Sequence, residues 1–346
     1  MTFIYFILIL GTTIFIHELG HFIFAKRSGV YVYEFAIGMG PRLFSKKRKD
    51  DETVYSIRAI PLGGFVQLAG EEVEDDKNVP DNRKLPNKTW FERFITMIAG
   101  ALFNFLLAFI LLFIISIFYG APKQEAIING VVEGYPAYEV GIDKGDKILA
   151  INGKKIRTWD MVYLRLEMCD KELPISMKVK KSNGTVKTYE FKLKKEEENG
   201  EEGYRVGIEP PIKPERGLMA IIKYPFIKMG ALFEQMFIVI GNLFTGNLGV
   251  DQLAGPVGIY NIVGEQRAGG FENIIYLIAF LSVNVGFINL IPFPAFDGGR
   301  VLFLVIEKIK GSPVNQKVEN YIHMVGFGLL IMLFVYITFN DILKLF

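Results

Sequence analysis

Two of the chain's three histidines, His17 and His21, stand four residues apart in "FIHELGHFIFA", with Glu18 between them. On a helix, positions i and i+4 project from one face. Both imidazoles can therefore reach one divalent metal while the glutamate points toward the metal's open position. That is the spacing of a zinc site in which two histidines bind the ion and an acid handles a water proton. A chance match is improbable in a chain so poor in histidine. Ionisable groups in a stretch otherwise apolar enough to cross a bilayer are costly and mark function.

Two histidines leave a catalytic zinc one protein ligand short. His323, at the start of the last apolar stretch, is one candidate. Asp297, in "NVGFINLIPFPAFDGGR", is the stronger. Pro292 and Pro294 break the apolar helix before it, and open backbone at membrane depth is tolerated only where it lines a cavity or is packed in protein. Taken alone, Asp297-Gly298-Gly299 has a second, less favoured reading as an interfacial turn. Beside HELGH, a carboxylate at similar depth is the natural third ligand.

The elements that must position these residues are mostly membrane helices. Mean hydropathy is +0.29, and phenylalanine alone occurs 30 times in 346 residues. Four stretches, at about 3–25, 95–119, 274–291 and 321–343, approach or reach the ~20 apolar residues a crossing needs. The first has no basic segment before it and no small-residue cleavage site before Lys26, so a retained helix is expected rather than a cleaved signal. Between Lys26 and Lys49 there are seven Lys or Arg against one acid, Glu34. Basic residues collect on the cytoplasmic side. Arg300, Lys308, Lys310 and Lys317 agree, which places both termini and the long middle segment outside. The net charge of +2 gives no case for nucleic acid, and the lone Cys169 excludes a disulfide framework or a cysteine-rich metal site.

Between the crossings, "VYVYEFAIGMGPRLFSKK" and "TVYSIRAIPLGGFVQLAG" alternate like hairpin strands, and "EEVEDDKNVPDNRK" reads as a solvated loop. Residues 121–213 read as a small soluble α+β domain. "GDKILAINGKKI" turns at Asn152-Gly153, and "PISMKVKKSNGTVKTYEFKLKK" turns at Asn183-Gly184. Between them "TWDMVYLRLEMC" has helical spacing behind an N-cap-like Thr158. "KKEEENGEEG" reads as a charged loop before the closing strand "YRVGIEP". Residues 216–246 are apolar but carry Lys223, Pro225, Lys228 and Glu234, which suits an interfacial amphipathic helix better than a fifth crossing. Residues 247–270 read as a Gly-rich connector.

HELGH in the first helix, "NLIPFPAFDGG" in the third and the middle domain together resemble the site-2 protease family of intramembrane zinc metalloproteases. The bacterial branch with an extracytoplasmic PDZ domain, the regulator of sigma-E protease type, is the most similar. "IPLGGFVQLAGE" resembles the family's membrane-associated β-loop, "AGALFNFLLA" its second helix, "GYPAYEVGIDKGDKILAINGKKI" its PDZ signature and "LAGPVGI" its connector. Phe296 stands where the family usually has leucine, and Ala101 where proline is common.

The resemblance implies an α-helical polytopic membrane protein with about four transmembrane helices, a β-loop and one PDZ-like domain. Its segments are helix 1 (1–27), β-loop and acidic loop (28–92), helix 2 (93–120), PDZ-like domain (121–213), interfacial helix and connector (214–270), helix 3 (271–299), a cytoplasmic connection (300–320) and helix 4 (321–346). It implies one zinc ion on His17, His21 and Asp297, Glu18 as the catalytic glutamate, and Asn289 as a holder of substrate backbone. The β-type stretch around Gly63, Gly64 and Phe65 would accept an unwound substrate segment by strand addition. The expected substrates are single-pass membrane proteins, of anti-sigma-factor or signal-peptide-remnant type, met in the lipid of the cell membrane after a first cut outside it. The PDZ-like domain would filter by size or bind a new carboxyl end. A non-catalytic scaffold has no use for an intact HExxH with its aspartate, and a metal transporter needs neither the intervening glutamate nor the β-loop.

Overall fold

The computed structural model describes residues 1–71, 78–198 and 201–344. The chain folds into two compact units, Met1–Leu111 with Gly249–Phe346, and Leu112–Leu248. Part of the expected acidic loop, residues 72–77, lies outside the described residues.

Helix α1 (Thr2–Arg27) is unbroken through HELGH and ends at Ser28, with Gly29 at φ +68°. Lys26 and Arg27 in its last turn suit the negative end of the helix dipole. Strands β1 (Val32–Lys47) and β2 (Val54–Leu68) pair antiparallel, but each is long enough to be used twice. Residues 34–37 of β1 pair with 54–57 of β2 on one side and with 64–67 on the other, while 42–47 pair with 54–58. The bends fall at Gly38, Gly40 and Gly63, all at positive φ, which glycine adopts without steric cost. Four segments result, in the order 64–68, 32–37, 54–58, 42–47, and among the described strands 64–68 is an edge. Glu34, buried in an inner segment, accepts from Ser56, Arg42 and Arg58. Helix α2 (Trp90–Phe118) starts at a reciprocal capping box, in which Thr89 N donates to Glu92 and Glu92 N to Thr89 Oγ1.

The second unit holds short strand β3 (Gly130–Val131), helix α3 (Pro136–Glu139), strands β4 (Lys147–Ile151) and β5 (Lys154–Lys155), helix α4 (Trp159–Glu167), strands β6 (Ile175–Lys180), β7 (Val186–Phe191), β8 (Lys194–Glu198), β9 (Glu201–Arg205) and β10 (Ile208–Glu209), and the long helix α5 (Leu218–Thr245). The sheet runs β5-β4-β6-β7, and β10 pairs with β3. Asn152 and Gly153 both take positive φ, as a two-residue hairpin turn requires. Ile128, Ile142, Ile148, Ile151, Met161 and Met177 form the core of this unit. Thr158 precedes α4, but its side chain makes no capping bond. The stretch read as a charged loop is instead largely a hairpin, β8 with β9. Helix α5 turns Lys228 and Glu234 onto its own unit, Glu234 lying 3.9 Å from Arg157. Buried Lys228 Nζ donates to Asp160 of α4 at 2.7 and 2.8 Å, and Ile238 packs on the core.

Back in the first unit are α6 (Pro256–Ala268), α7 (Phe271–Asn289), α8 (Asp297–Lys310) and α9 (Gln316–Leu343). The supposed Gly-rich connector therefore contains a helix. Pro256 at its first position is preset for helical φ, and Asp341 of α9 accepts from Gly258 N at 2.8 Å. The supposed connection at 300–320 is mostly α8. Asp297 opens that helix; it does not close the one before. Phe6 and Ile9 of α1 pack with Ile274, Leu277 and Leu281 of α7, so these helices run parallel. Among the described residues, five helices are long and apolar enough to cross a membrane: α1, α2, α5, α7 and α9. The fifth member of that set is α5, the stretch read from sequence as amphipathic.

Candidate metal centre

One turn and a helix start bring the chemistry together. After α7 the chain leaves helical geometry at the two prolines and re-enters it at Asp297. Gly298 and Gly299 sit so close to the carbonyls of Leu290, Ile291 and Phe293 that a Cβ on either would collide with backbone. On the facing side α1 and α2 touch at the backbone. A Cβ on Gly20 would strike the Ala99 carbonyl, and one on Gly100 would occupy the space of the His17 and His21 rings.

His17 Nε2 lies 3.2 Å from His21 Nε2, and Asp297 Oδ2 lies 3.2 and 3.1 Å from the two. These three are the group of donor atoms close enough together to hold one metal ion among the described residues. Asp297 Oδ2 is buried, and no hydrogen is directed at it. The tautomers agree with this. His21 Nδ1–H donates to the Thr96 carbonyl at 2.8 Å, which leaves its Nε2 a bare lone pair. His17 Nδ1 faces Asn104 Nδ2 at 3.3 Å, while Oδ1 of the same amide is a buried acceptor without a partner. With that oxygen turned toward the ring, Nδ1–H donates and Nε2 of His17 is bare as well. With both imidazoles neutral, as metal ligation requires, three lone pairs face one point. Ligands ~2.0–2.2 Å from a tetrahedral zinc stand about 3.4 Å apart, close to the spacing seen, so the donor set fits zinc.

Glu18 and Asn289 line the same cavity, of about 270 Å³, as do Phe65, Val66 and Leu68 of the edge segment, Glu71 and Arg300. Arg300 is paired with Glu71. Asn289 Nδ2 also donates to Val285 O at 3.0 Å. Gly64 faces the site, where a Cβ would stand 3.1 Å from Glu18 Cγ. Gly63 does not line the cavity; it makes the bend at φ +97° and faces Met39. His323 is not among the converging ligands. Its Nδ1 instead accepts from Ala295 N at 3.2 Å. Thr96, Gly100 and Asn104 are the supporting residues that motif reading passes over. Their spacing of four in "TMIAGALFN" is the signal, one face of an apolar helix carrying two polar groups and a glycine.

The sequence profile of peptidase family M50 matches residues 5–333. The chain is 33% identical to the zinc metalloprotease RasP of Bacillus licheniformis, over all of this chain and 99% of that one. It is 32% identical to the regulator of sigma-W protease RasP of Bacillus subtilis with the same coverage. It is 31% identical to the zinc metalloprotease RasP of Geobacillus kaustophilus over 99% and 97% of the two chains.

Proposed function

Because the chain belongs to peptidase family M50, the site-2 proteases, we propose that His17, His21 and Asp297 hold its zinc and that Glu18 is its catalytic base. The enzyme is a multi-pass intramembrane zinc metalloprotease. The observation that carries the residue assignment is the convergence of three lone pairs from α1 and α8 within 3.2 Å. Bound zinc supplies an acidified water and polarises the scissile carbonyl. Glu18, beside the ligands on α1, takes the water's proton and returns it to the departing amine. Asn289, at the mouth of the broken turn, holds substrate backbone.

A helical substrate hides its amides, so it must be unwound before attack. Segment 64–68 supports strand addition: it is an edge, and Phe65, Val66 and Leu68 line the cavity with Glu18. The middle unit acts as a PDZ-like domain that handles a substrate end. Residues 204–209, Glu167, Lys171 and Trp159 line a cavity of about 390 Å³ whose walls are apolar with charges of both signs. One relative is named for regulating sigma-W, which favours single-pass anti-sigma-factor-like proteins as substrates.

The metal centre also bears on topology. Helices α1 and α7 run parallel, and His17 and His21 of α1 share a cavity with Asn289 at the end of α7 and Asp297 at the start of α8, so the C-terminal ends of α1 and α7 lie on one side of the membrane. With α2 returning across, an even number of crossings must separate α2 from α7. A lone crossing by α5 would strand Asp297 on the wrong side, and α6, at 13 residues, spans only ~20 Å. We therefore read α5 as an arm on the middle unit and the chain as four crossings, with both termini outside. A cysteine placed at Asn247, in a Cys169→Ser background, should react with an impermeant reagent on intact cells, and one at Lys47 should not. Protection at Asn247 would reinstate the fifth crossing.

The assignment of chemistry is tested by cleavage of a single-pass reporter. Glu18→Gln should lose ~10²–10⁴-fold in rate with its zinc content intact. Undiminished cleavage in that variant removes Glu18 from the mechanism.

A further inference from the structure

We propose that His323 is a positioning residue of this centre. From α9 it holds the turn that aims Asp297 at the two imidazoles. The assignment rests on Asp297 being a ligand, as above.

Ala295, two residues before Asp297, stands at φ +92°. An alanine there carries a Cβ into a region that glycine visits freely and other residues rarely. Such a conformation persists only where the surroundings over-determine it. The surroundings here are two residues of α9, one turn apart. His323 Nδ1 accepts the Ala295 N–H at 3.2 Å, and Gly326 lies against Pro294 so closely that a Cβ would overlap its ring and carbonyl. Because Nδ1 accepts, the proton sits on Nε2, which is buried without a partner. The bond to Ala295 is thus the polar tether of this ring among the described residues, and its one other ring contact is Phe303, 5.6 Å between centroids. On the opposite side the turn is closed by Gly298 and Gly299 against the backbone of 290–293. Freed from His323, Ala295 relaxes toward negative φ, and the carboxylate two residues on swings away from the histidines.

The test is zinc affinity, measured by chelator competition on the full chain in detergent. His323→Leu removes the acceptor and keeps the bulk, and should weaken zinc binding ~10–100-fold. His323→Asn offers an oxygen near the place of Nδ1 and should recover to within about threefold of the parent. Ala295→Gly in the His323→Leu background should also recover most of the loss, because glycine holds the left-handed conformation unaided. Wild-type affinity in His323→Leu overturns the proposal. Should that variant fail to fold, zinc affinity in His323→Asn and in the Ala295→Gly double variant decides, and failure of both to approach the parent overturns it equally. Asp297→Ala separates this from the ligand assignment. If it binds zinc normally, the ligand assignment itself falls. If it binds weakly while His323→Leu binds normally, only the role of His323 falls.

Discussion

Asp146 and Asp297 each hold a carboxylate oxygen away from water, one in each unit, and those oxygens are surrounded in opposite ways. Asp146 is wholly buried and accepts from Lys181 Nζ at 2.8 Å, from Asp143 N at 2.9 Å and from Ser182 N at 3.3 Å. Every neighbour offers it a hydrogen. The buried Oδ2 of Asp297 faces two imidazole nitrogens whose lone pairs point the same way as its own. A buried carboxylate ringed by donors holds a fold together. One ringed by bases needs a metal ion or a proton among them. The difference separates an architectural acid from a ligand without reference to any motif.

Substitution by the isosteric amide should pull the two apart. Asp297→Asn is expected to bring cleavage below detection and to weaken zinc binding sharply. Its melting in a chelator should be unchanged or raised, since it removes an unpaired buried charge. A fall of several degrees in the chelator would make Asp297 architectural too. Asp146→Asn should do the reverse: stability falls by about 2–4 kcal/mol because Lys181 loses its buried partner, while zinc content at low temperature stays full. Loss of zinc there, in a folded protein, would break the comparison from the other side.

The smallest effect is in alkali. Burial works against the Lys181 ammonium, but its bonds to Asp143 and Asp146 outweigh that and hold its pKa above the ordinary lysine value. A raised folded pKa means the ion pair's contribution is complete below the unfolded value of ~10.4 and is lost as pH climbs through the folded one. The stability of the middle unit, followed by Trp159 fluorescence, should therefore decline more steeply above that pH in the parent than in Lys181→Met. Parallel curves would show that the ammonium is not coupled to folding.

The proposed ligands and Glu18 were legible because two short motifs carry them, HELGH at a spacing a helix converts directly into one face. The hairpin strands were legible from alternation, and the turns at Asn152 and Asn183 from their glycines. What escaped reading depends on partners far along the chain. Asp297-Gly298-Gly299 looks like a turn by composition, yet those glycines open α8 because they must lie against the carbonyls of 290–293. Helix α6 hides in a Gly-rich stretch because the group that satisfies its first turn, Asp341, is 83 residues away. Helix α5 reads as mixed because its lysine is buried against Asp160, a pairing no local window contains. The double use of β1 and β2 follows from bends at glycines that a strand pattern alone treats as interruptions.

The position of HELGH within α1 has a consequence for what leaves the enzyme. His17 and His21 stand ten and six residues before the helix ends at Arg27, roughly 9–15 Å along its axis. A substrate drawn out as a strand covers that depth in about three to five residues. Under the proposed chemistry, the fragment released on that face would carry only a stub of its former membrane anchor. So short an apolar tail cannot span the hydrocarbon core, so this product would partition into water while its other half stayed in lipid. A single hydrolysis would thus become a change of compartment.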